Sequence, residues 1–180
     1  MVNSYEPGDK RDSATIMFIK TNGTVLWDGF RVPSRDSVQN DRYNYKAYFG
    51  RKADSYCTSL NTDHLPKNIH IIRYAEVLLI NAEAALQIGK PGDAANDMAL
   101  VRARAGLMTN AVTQASIWQE RRVELAMEQD RFFDIVRQGR AGQILRALGK
   151  NFVDGKNEVF PIPQTQIDLS AGKITQNLGY

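Results

Sequence analysis

The chain has 180 residues, 43% of them hydrophobic and 24% charged, with 23 Lys and Arg against 20 Asp and Glu for a formal net charge of +3. That composition is ordinary for a soluble globular protein of a size that buries a real core. No basic run stands apart from neighbouring acids, which argues against a nucleic-acid-binding surface.

Cys57 is the only cysteine, so no intrachain disulfide can form. His64 and His70 have no Cys or Glu at ligand spacing, and neither a structural zinc nor any other metal or cofactor is expected. No run approaches the ~20 apolar residues of a bilayer span. The first ten residues lack the basic start and apolar stretch of a signal peptide.

Residues 1–69 read as an irregular segment with many turn residues. Asn22-Gly23 lies between two apolar runs, residues 16–20 and 25–27. An Asn-Gly pair in that setting predicts a β-hairpin joining the two runs, because both central positions of a type I′ turn need φ > 0. Residues 28–67 keep no period and are rich in aromatic and polar side chains. A structureless loop of that length is too long for a compact domain unless it is functional or packed on something.

From residue 70 the pattern turns helical. Ile71, Tyr74, Ala75, Leu78, Ala82, Ala85 and Leu86 fall at the spacing of one helix face. Gly89 ends that helix and Pro91 restarts the next, since a missing N–H costs nothing in a first turn. Ala94, Ala95, Met98, Val101 and Ala105 line the second helix, and Gly106 reads as the left-handed residue that closes it. Two helices joined by so few residues form an antiparallel pair of the tetratricopeptide kind. A third helix is predicted from an N-cap at Thr113 to about Gln129. Shorter helices follow, one stopped at Gly139 and one running over residues 141–148. An extended tail runs through Val159-Phe160-Pro161-Ile162-Pro163. The predicted fold is mainly α, with an irregular, hairpin-containing N-terminal third (residues 1–69) and a helical region (residues 70–180).

Two sets of side chains are candidates for function. Glu120, Glu124 and Glu128 recur every four residues and share a helix face. A glycoside hydrolase needs two carboxylates roughly 5 to 9.5 Å apart, and neighbours on this ladder meet that spacing. Against this stands a structural reading, in which Glu120, Glu124 and Glu128 join Arg131, Asp134 and Arg137 in an ion network bracing helix to helix. The bracing reading is favoured, because a general acid needs an apolar pocket and this face is full of arginines. Arg102 and Arg104 are assigned to the C-terminal end of their helix, where cations offset the macrodipole. The second set is Trp27, Asp28, Arg31, Tyr43 and Tyr45. Flat aromatic rings stack on the apolar faces of sugars while Asp and Arg satisfy hydroxyls. The favoured reading of the same aromatics is as anchors pinning a long loop to the helices.

Ile72-Arg73-Tyr74-Ala75-Glu76-Val77-Leu78-Leu79, followed by Ala82-Glu83-Ala84, resembles a signature of the SusD/RagB family of outer-membrane nutrient-binding lipoproteins. Further motifs of that family follow in order. They are Val101-Arg102-Ala103-Arg104-Ala105-Gly106-Leu107, then Glu120-Arg121-Arg122-Val123-Glu124-Leu125 with Glu128 and Arg131. After these come Phe133-Asp134-Ile135-Val136-Arg137 with Gly139, Pro161-Ile162-Pro163, and the closing Gln176-Asn177-Leu178-Gly179-Tyr180. Gln138 stands where an aromatic is usual and Leu178 where proline is usual, and the match covers the family's C-terminal part.

The resemblance implies a non-enzymatic protein at the outer-membrane cell surface that binds an oligosaccharide or other nutrient. Its partner would be a SusC-like TonB-dependent transporter, and its membrane attachment a lipid anchor that these residues do not carry. The family varies its ligand residues, so the resemblance supplies no site motif. A helical-repeat protein–protein interaction module without sugar binding is the alternative expectation, and a glycoside hydrolase the third.

Overall fold

A computed structural model describes residues 1–50 and 70–180. Ser55, Tyr56, Cys57, His64 and Pro66 lie outside the described residues. The chain divides into two compact units, Met1–Glu128 and Gln129–Tyr180. The described residues are mostly helical, as expected.

The first unit opens with a 3-10 turn at Val2–Ser4, a one-turn helix α1 (Arg11–Thr15) and strand β1 (Ile16–Phe18). Strands β2 (Thr24–Val25) and β3 (Arg31–Val32), a second 3-10 turn at Arg35–Ser37 and strand β4 (Arg42–Asn44) follow. β1 pairs antiparallel with β4, Met17 opposite Tyr43, and β2 pairs antiparallel with β3, Val25 opposite Arg31.

The hairpin predicted around Asn22-Gly23 is therefore corrected. The chain does turn there, with Gly23 N–H donating to Lys20 O at 3.0 Å and Gly23 at φ +84°. Asn22, however, is not among the residues of positive φ, so a type I′ turn does not form. The Thr24 hydroxyl takes the place of a ladder, accepting from Lys20 N–H and donating to Phe18 O, both at 2.9 Å.

The hairpin that does form has its tip at Trp27-Asp28-Gly29. Leu26 N–H donates to Phe30 O and Gly29 N–H to Leu26 O, both at 2.9 Å, with Gly29 at φ +77°. A three-residue loop with glycine in the left-handed position is a recurrent hairpin connection. Met17, Ile19 and Leu26 make the small core under these strands, covered by Phe30, Val32, Val38, Tyr45 and Tyr48.

The helical part begins with α2 (Tyr74–Gln87) and α3 (Pro91–Ala105), the expected helix pair. Leu78, Leu79, Ala82 and Ala85 of α2 pack with Ala94, Met98 and Val101 of α3 and with Ile117 of α4 (Gln114–Glu124). The alanines let the two backbones approach closely where the chain reverses. Gly106 closes α3 at φ +80°, with Leu107 N–H donating to Arg102 O at 3.0 Å, a Schellman closure. Thr113 caps α4 as predicted, accepting from Ser116 N–H while the Ser116 hydroxyl accepts from Thr113 N–H.

Ile71 and Tyr74, placed on the buried stripe by periodicity, are instead exposed, and the buried face rotates to include Leu79. Ile71 precedes the helix, and Tyr74 is its first residue.

The second unit holds α5 (Arg131–Arg137), α6 (Ala141–Ala147) and α7 (Gln164–Leu169). Its core is Ile135, Ala141 and Phe152. The unpredicted α7 starts directly after Pro163. The C-terminal residues are fastened to the extended tail by side chains that imitate a strand. The Gln176 amide accepts from Ile162 N–H and donates to Ile162 O, each at 2.8 Å, and Tyr180 O–H donates to Val159 O at 3.0 Å.

Adjacent positions on α2 separate core from surface. Leu79 is 0% exposed and Ile80 is 52% exposed. Leu79→Ala leaves a cavity among three helices and is expected to cost about 2–5 kcal/mol in urea unfolding. Ile80→Ala is expected to stay within about 0.5 kcal/mol of the parent.

Candidate functional site

The glutamate ladder comes apart where α4 ends. Glu120 and Glu124 face inward from the helix, and Glu124 is its last residue. Met127 and Gln129 both take positive φ, 66° and 70°, so Glu128 lies off the helix between two left-handed residues. Each such non-glycine residue costs roughly 1–2 kcal/mol, so surrounding contacts must hold the loop. The predicted continuation of α4 to Gln129 is corrected accordingly.

Glu124 is 1% exposed and is surrounded by guanidinium groups. Its oxygens accept from Arg11 Nη1 at 3.0 Å, from Arg73 Nη1 at 2.5 Å and from Arg104. Glu120 accepts from Arg11 Nη1 at 2.5 Å and from Arg102 Nη1 at 2.9 Å. Glu128 accepts from Arg73 Nε at 2.7 Å and from Lys46 Nζ. The ends are closed by two forked pairs. Arg11 clasps both Asp9 oxygens at 2.9 and 2.8 Å, and Arg102 clasps both Glu6 oxygens at 2.8 and 2.9 Å. Five carboxylates (Glu6, Asp9, Glu120, Glu124, Glu128) thus meet five cations (Arg11, Lys46, Arg73, Arg102, Arg104) in one continuous network.

The three glutamates pair with residues from the N-terminal segment, with Arg73 and with α3. Asp134 and Arg137 pair with each other at 3.2 Å in the second unit, and Arg131 begins α5. Arg102 is not a simple end-of-helix cation. At 3% exposure it is one of the buried links, reaching Glu6, Glu120 and Met108 O. Sequence spacing detects neighbours on one helix, whereas these partners arrive from distant segments.

Burial pushes the Glu124 and Glu128 carboxyls up, but the hydrogen bonds and charge of Arg73, with Arg11 at Glu124 and Lys46 at Glu128, hold both below the usual 4.5. Hydrogen bonds from Arg102 likewise lower Glu6. A carboxyl held ionised is a poor proton donor, which opposes the hydrolase reading. Because these folded-state values lie below the unfolded ones, the unfolded chain binds more protons between them. The stability they contribute is present above about pH 4.5 and is lost as pH falls through the folded values. Thermal melts across pH 3–7 should show a plateau above about pH 5 and a decline below it. Glu124→Gln should remove about 3–5 kcal/mol at pH 7 and flatten part of that acid limb.

Two of the three aromatic candidates, Trp27 and Tyr45, meet at the β2–β3 hairpin tip. Trp27 is 63% exposed and meets Tyr48 edge-on, with centroids 6.2 Å apart and planes at 82°. Tyr45 lies 5.7 Å from Tyr48, and its hydroxyl accepts from Trp27 N–H at 3.2 Å. Asp28 uses both oxygens within the tip, accepting from Phe30 N–H at 3.0 Å and from the Tyr48 hydroxyl at 2.9 Å. Gly50 lies against the Trp27 indole, where an added Cβ would fall 2.6 Å from the ring.

Of the predicted set, Trp27, Asp28 and Tyr45 thus come together. Arg31 stands on β3, but its guanidinium is directed away from the tip, Nη2 donating to Asn22 O at 2.9 Å. Tyr43 is elsewhere, on β4, where it lines a separate cavity of about 340 Å³ with Ile16, Arg42, Asn44 and Met127. Tyr48, from the same aromatic-rich segment, is the joint of the cluster, touching both Trp27 and Tyr45 and donating to Asp28. An exposed indole held by a second ring beside a carboxylate is an arrangement that can stack on a sugar face. Among the described residues no group of three or more His, Cys, Asp or Glu side chains could hold a metal, and no helix is long and apolar enough to cross a membrane.

The family model of the SusD family matches residues 1–180, the irregular N-terminal third included. Among solved structures, the chain is similar to a laminarin-binding SusD-like protein at 34% identity, with a TM-score of 0.74 over 97% of this chain and 36% of that one. It is also similar to surface glycan-binding protein A from Bacteroides thetaiotaomicron, at 27% identity and a TM-score of 0.75 over 99% of this chain and 40% of that one. The corresponding protein from Bacteroides uniformis matches at 27% identity and a TM-score of 0.72, over 98% and 39%. No curated protein matches the chain. The chain spans 36–40% of the length of these relatives. With the whole of its length matched and its order of motifs intact, the chain belongs to the SusD family.

Proposed function

We propose that this chain is part of a non-catalytic glycan-binding protein of the bacterial outer surface, and that the hairpin tip around Trp27 meets the glycan. The supporting observation is that tip: an indole left 63% exposed while Tyr45, Tyr48 and Asp28 fix its surroundings. A fully anchoring aromatic would be buried, and exposing one this large forgoes about 1.5–3 kcal/mol of burial. Relatives described as laminarin-binding or as surface glycan-binding proteins point the same way. The captured oligosaccharide would pass to a SusC-like TonB-dependent transporter at the outer membrane, with no bond broken. The ionised, arginine-held state of Glu124 and Glu128 supports the absence of hydrolysis.

A second reading, a protein-interaction module, is favoured by one observation. Tyr74, Val77, Ile80 and Ile88 leave an apolar row exposed along α2. The two readings separate by titration. Laminarin oligosaccharides should bind with micromolar to millimolar affinity, release no new reducing ends, and lose at least about 10-fold in affinity in Trp27→Ala with the melting temperature unchanged. Tyr43→Ala should leave that affinity within about twofold. If laminarin, starch, xylan and mannan all fail to bind, the interaction reading replaces the glycan reading.

A further inference from the structure

The aromatic tip and the buried ion network meet at one residue. Lys46 lies between Tyr45 and Tyr48, the two rings that support Trp27. Its ammonium points the other way, donating to Glu124 O at 2.7 Å and to the Glu128 carboxylate. Glu124 O belongs to the last residue of α4, where the helix carries its partial negative charge and its orphan carbonyls. Glu128 stands on the loop of positive φ just beyond.

The rest of the turn is fastened on the same two sides. Tyr45 N–H donates to Thr15 O at 2.8 Å and Tyr48 N–H to Tyr45 O at 3.1 Å. The Asn44 amide donates to Met127 O at 3.4 Å, and its carbonyl accepts from Ala47 N–H at 3.3 Å. Residues 44–48 therefore form a clip with aromatic side chains on the hairpin side and polar anchors on the α4 side.

We infer that Lys46 is a positioning residue: by docking on the C-terminal end of α4 and on Glu128, it sets the orientation of Tyr45 and Tyr48 and so of the exposed Trp27 platform. A lysine suits this post because its flexible stem and compact charge can take a backbone carbonyl and a carboxylate together. Removing it leaves no uncompensated carboxylate, since Glu128 keeps Arg73 at 2.7 and 2.9 Å and Glu124 O keeps Arg73 Nη2 at 2.6 Å. Loss of Lys46 should therefore disturb geometry at the tip more than it disturbs the fold. The orientation claim stands on the geometry alone, and only its consequence for affinity rests on the glycan-binding reading.

Trp27 and Trp118 are the two tryptophans of the chain, so a W118F background makes Trp27 the sole indole reporter. In that background Lys46→Met should move the Trp27 emission maximum and raise its acrylamide quenching about twofold. It should also weaken laminarin-oligosaccharide binding about 5–10-fold, with far-UV circular dichroism intact. Lys46→Arg, which keeps the charge and the reach, should restore most of both signals. A folded Lys46→Met protein with unchanged Trp27 emission and quenching would overturn the inference, whatever its melting temperature. Altered Trp27 signals in a protein whose parent binds no glycan would uphold the positioning role and overturn the glycan reading. If Lys46→Met does not fold, Glu128→Gln takes its place, since it weakens the same anchor from the other side; an unmoved Trp27 there likewise overturns the inference.

Discussion

A carboxylate taken out of water costs several kcal/mol unless charge and hydrogen bonds replace the lost hydration, and Glu124 meets that condition with three arginines. They come from α1, from the residue before α2 and from the last turn of α3. None of these segments can be displaced without leaving the buried charge short of a donor. The cost of a missing partner exceeds the net gain from any one pair, so the network acts as a condition on the fold as a whole. Glu120 and Glu128 extend the same condition to residues 6, 102 and 46.

This division of labour separates rigidity from exposure. The helix pair and α4 supply an apolar core and, beside it, an ion network whose members have few alternative partners. The hairpin tip hangs from that frame through a short turn and leaves a large aromatic residue in solvent. Sites of recognition are commonly built this way, with a variable loop carried on elements that do not move. The conformational strain at Met127 and Gln129 fits the same scheme, since such backbone persists only where the surroundings over-determine it.

The helical half was largely legible because its signals are local. Gly89-Lys90-Pro91, Gly106, Thr113 and Gly139 mark the starts and stops of helices by backbone chemistry that operates within a few residues. The ion network was only half legible. Spacing identified Glu120 and Glu124 as a structural face, yet their partners lie up to 113 positions away along the chain, and no period reveals that. The N-terminal third misled for a different reason. Asn22-Gly23 and Asp28-Gly29 are both hairpin signals, and the competing one prevailed because β1 is claimed by β4 and leaves β2 to pair forward with β3. Of the sugar-site candidates, Trp27, Asp28 and Tyr45 are neighbours in space. Tyr43 sits on β4 against a different cavity, whereas Tyr45 lies past the end of that strand, a separation that composition alone does not reveal.

Gly50 does not have a left-handed backbone, so the conformation there is open to any residue, and what excludes a side chain is the Trp27 ring itself. The tilt of the indole is therefore held by an absent methyl group as much as by the rings beside it. A single carbon gained at position 50 would displace the indole without replacing any of the side chains around it. The helical frame makes no part of that contact and would be left untouched.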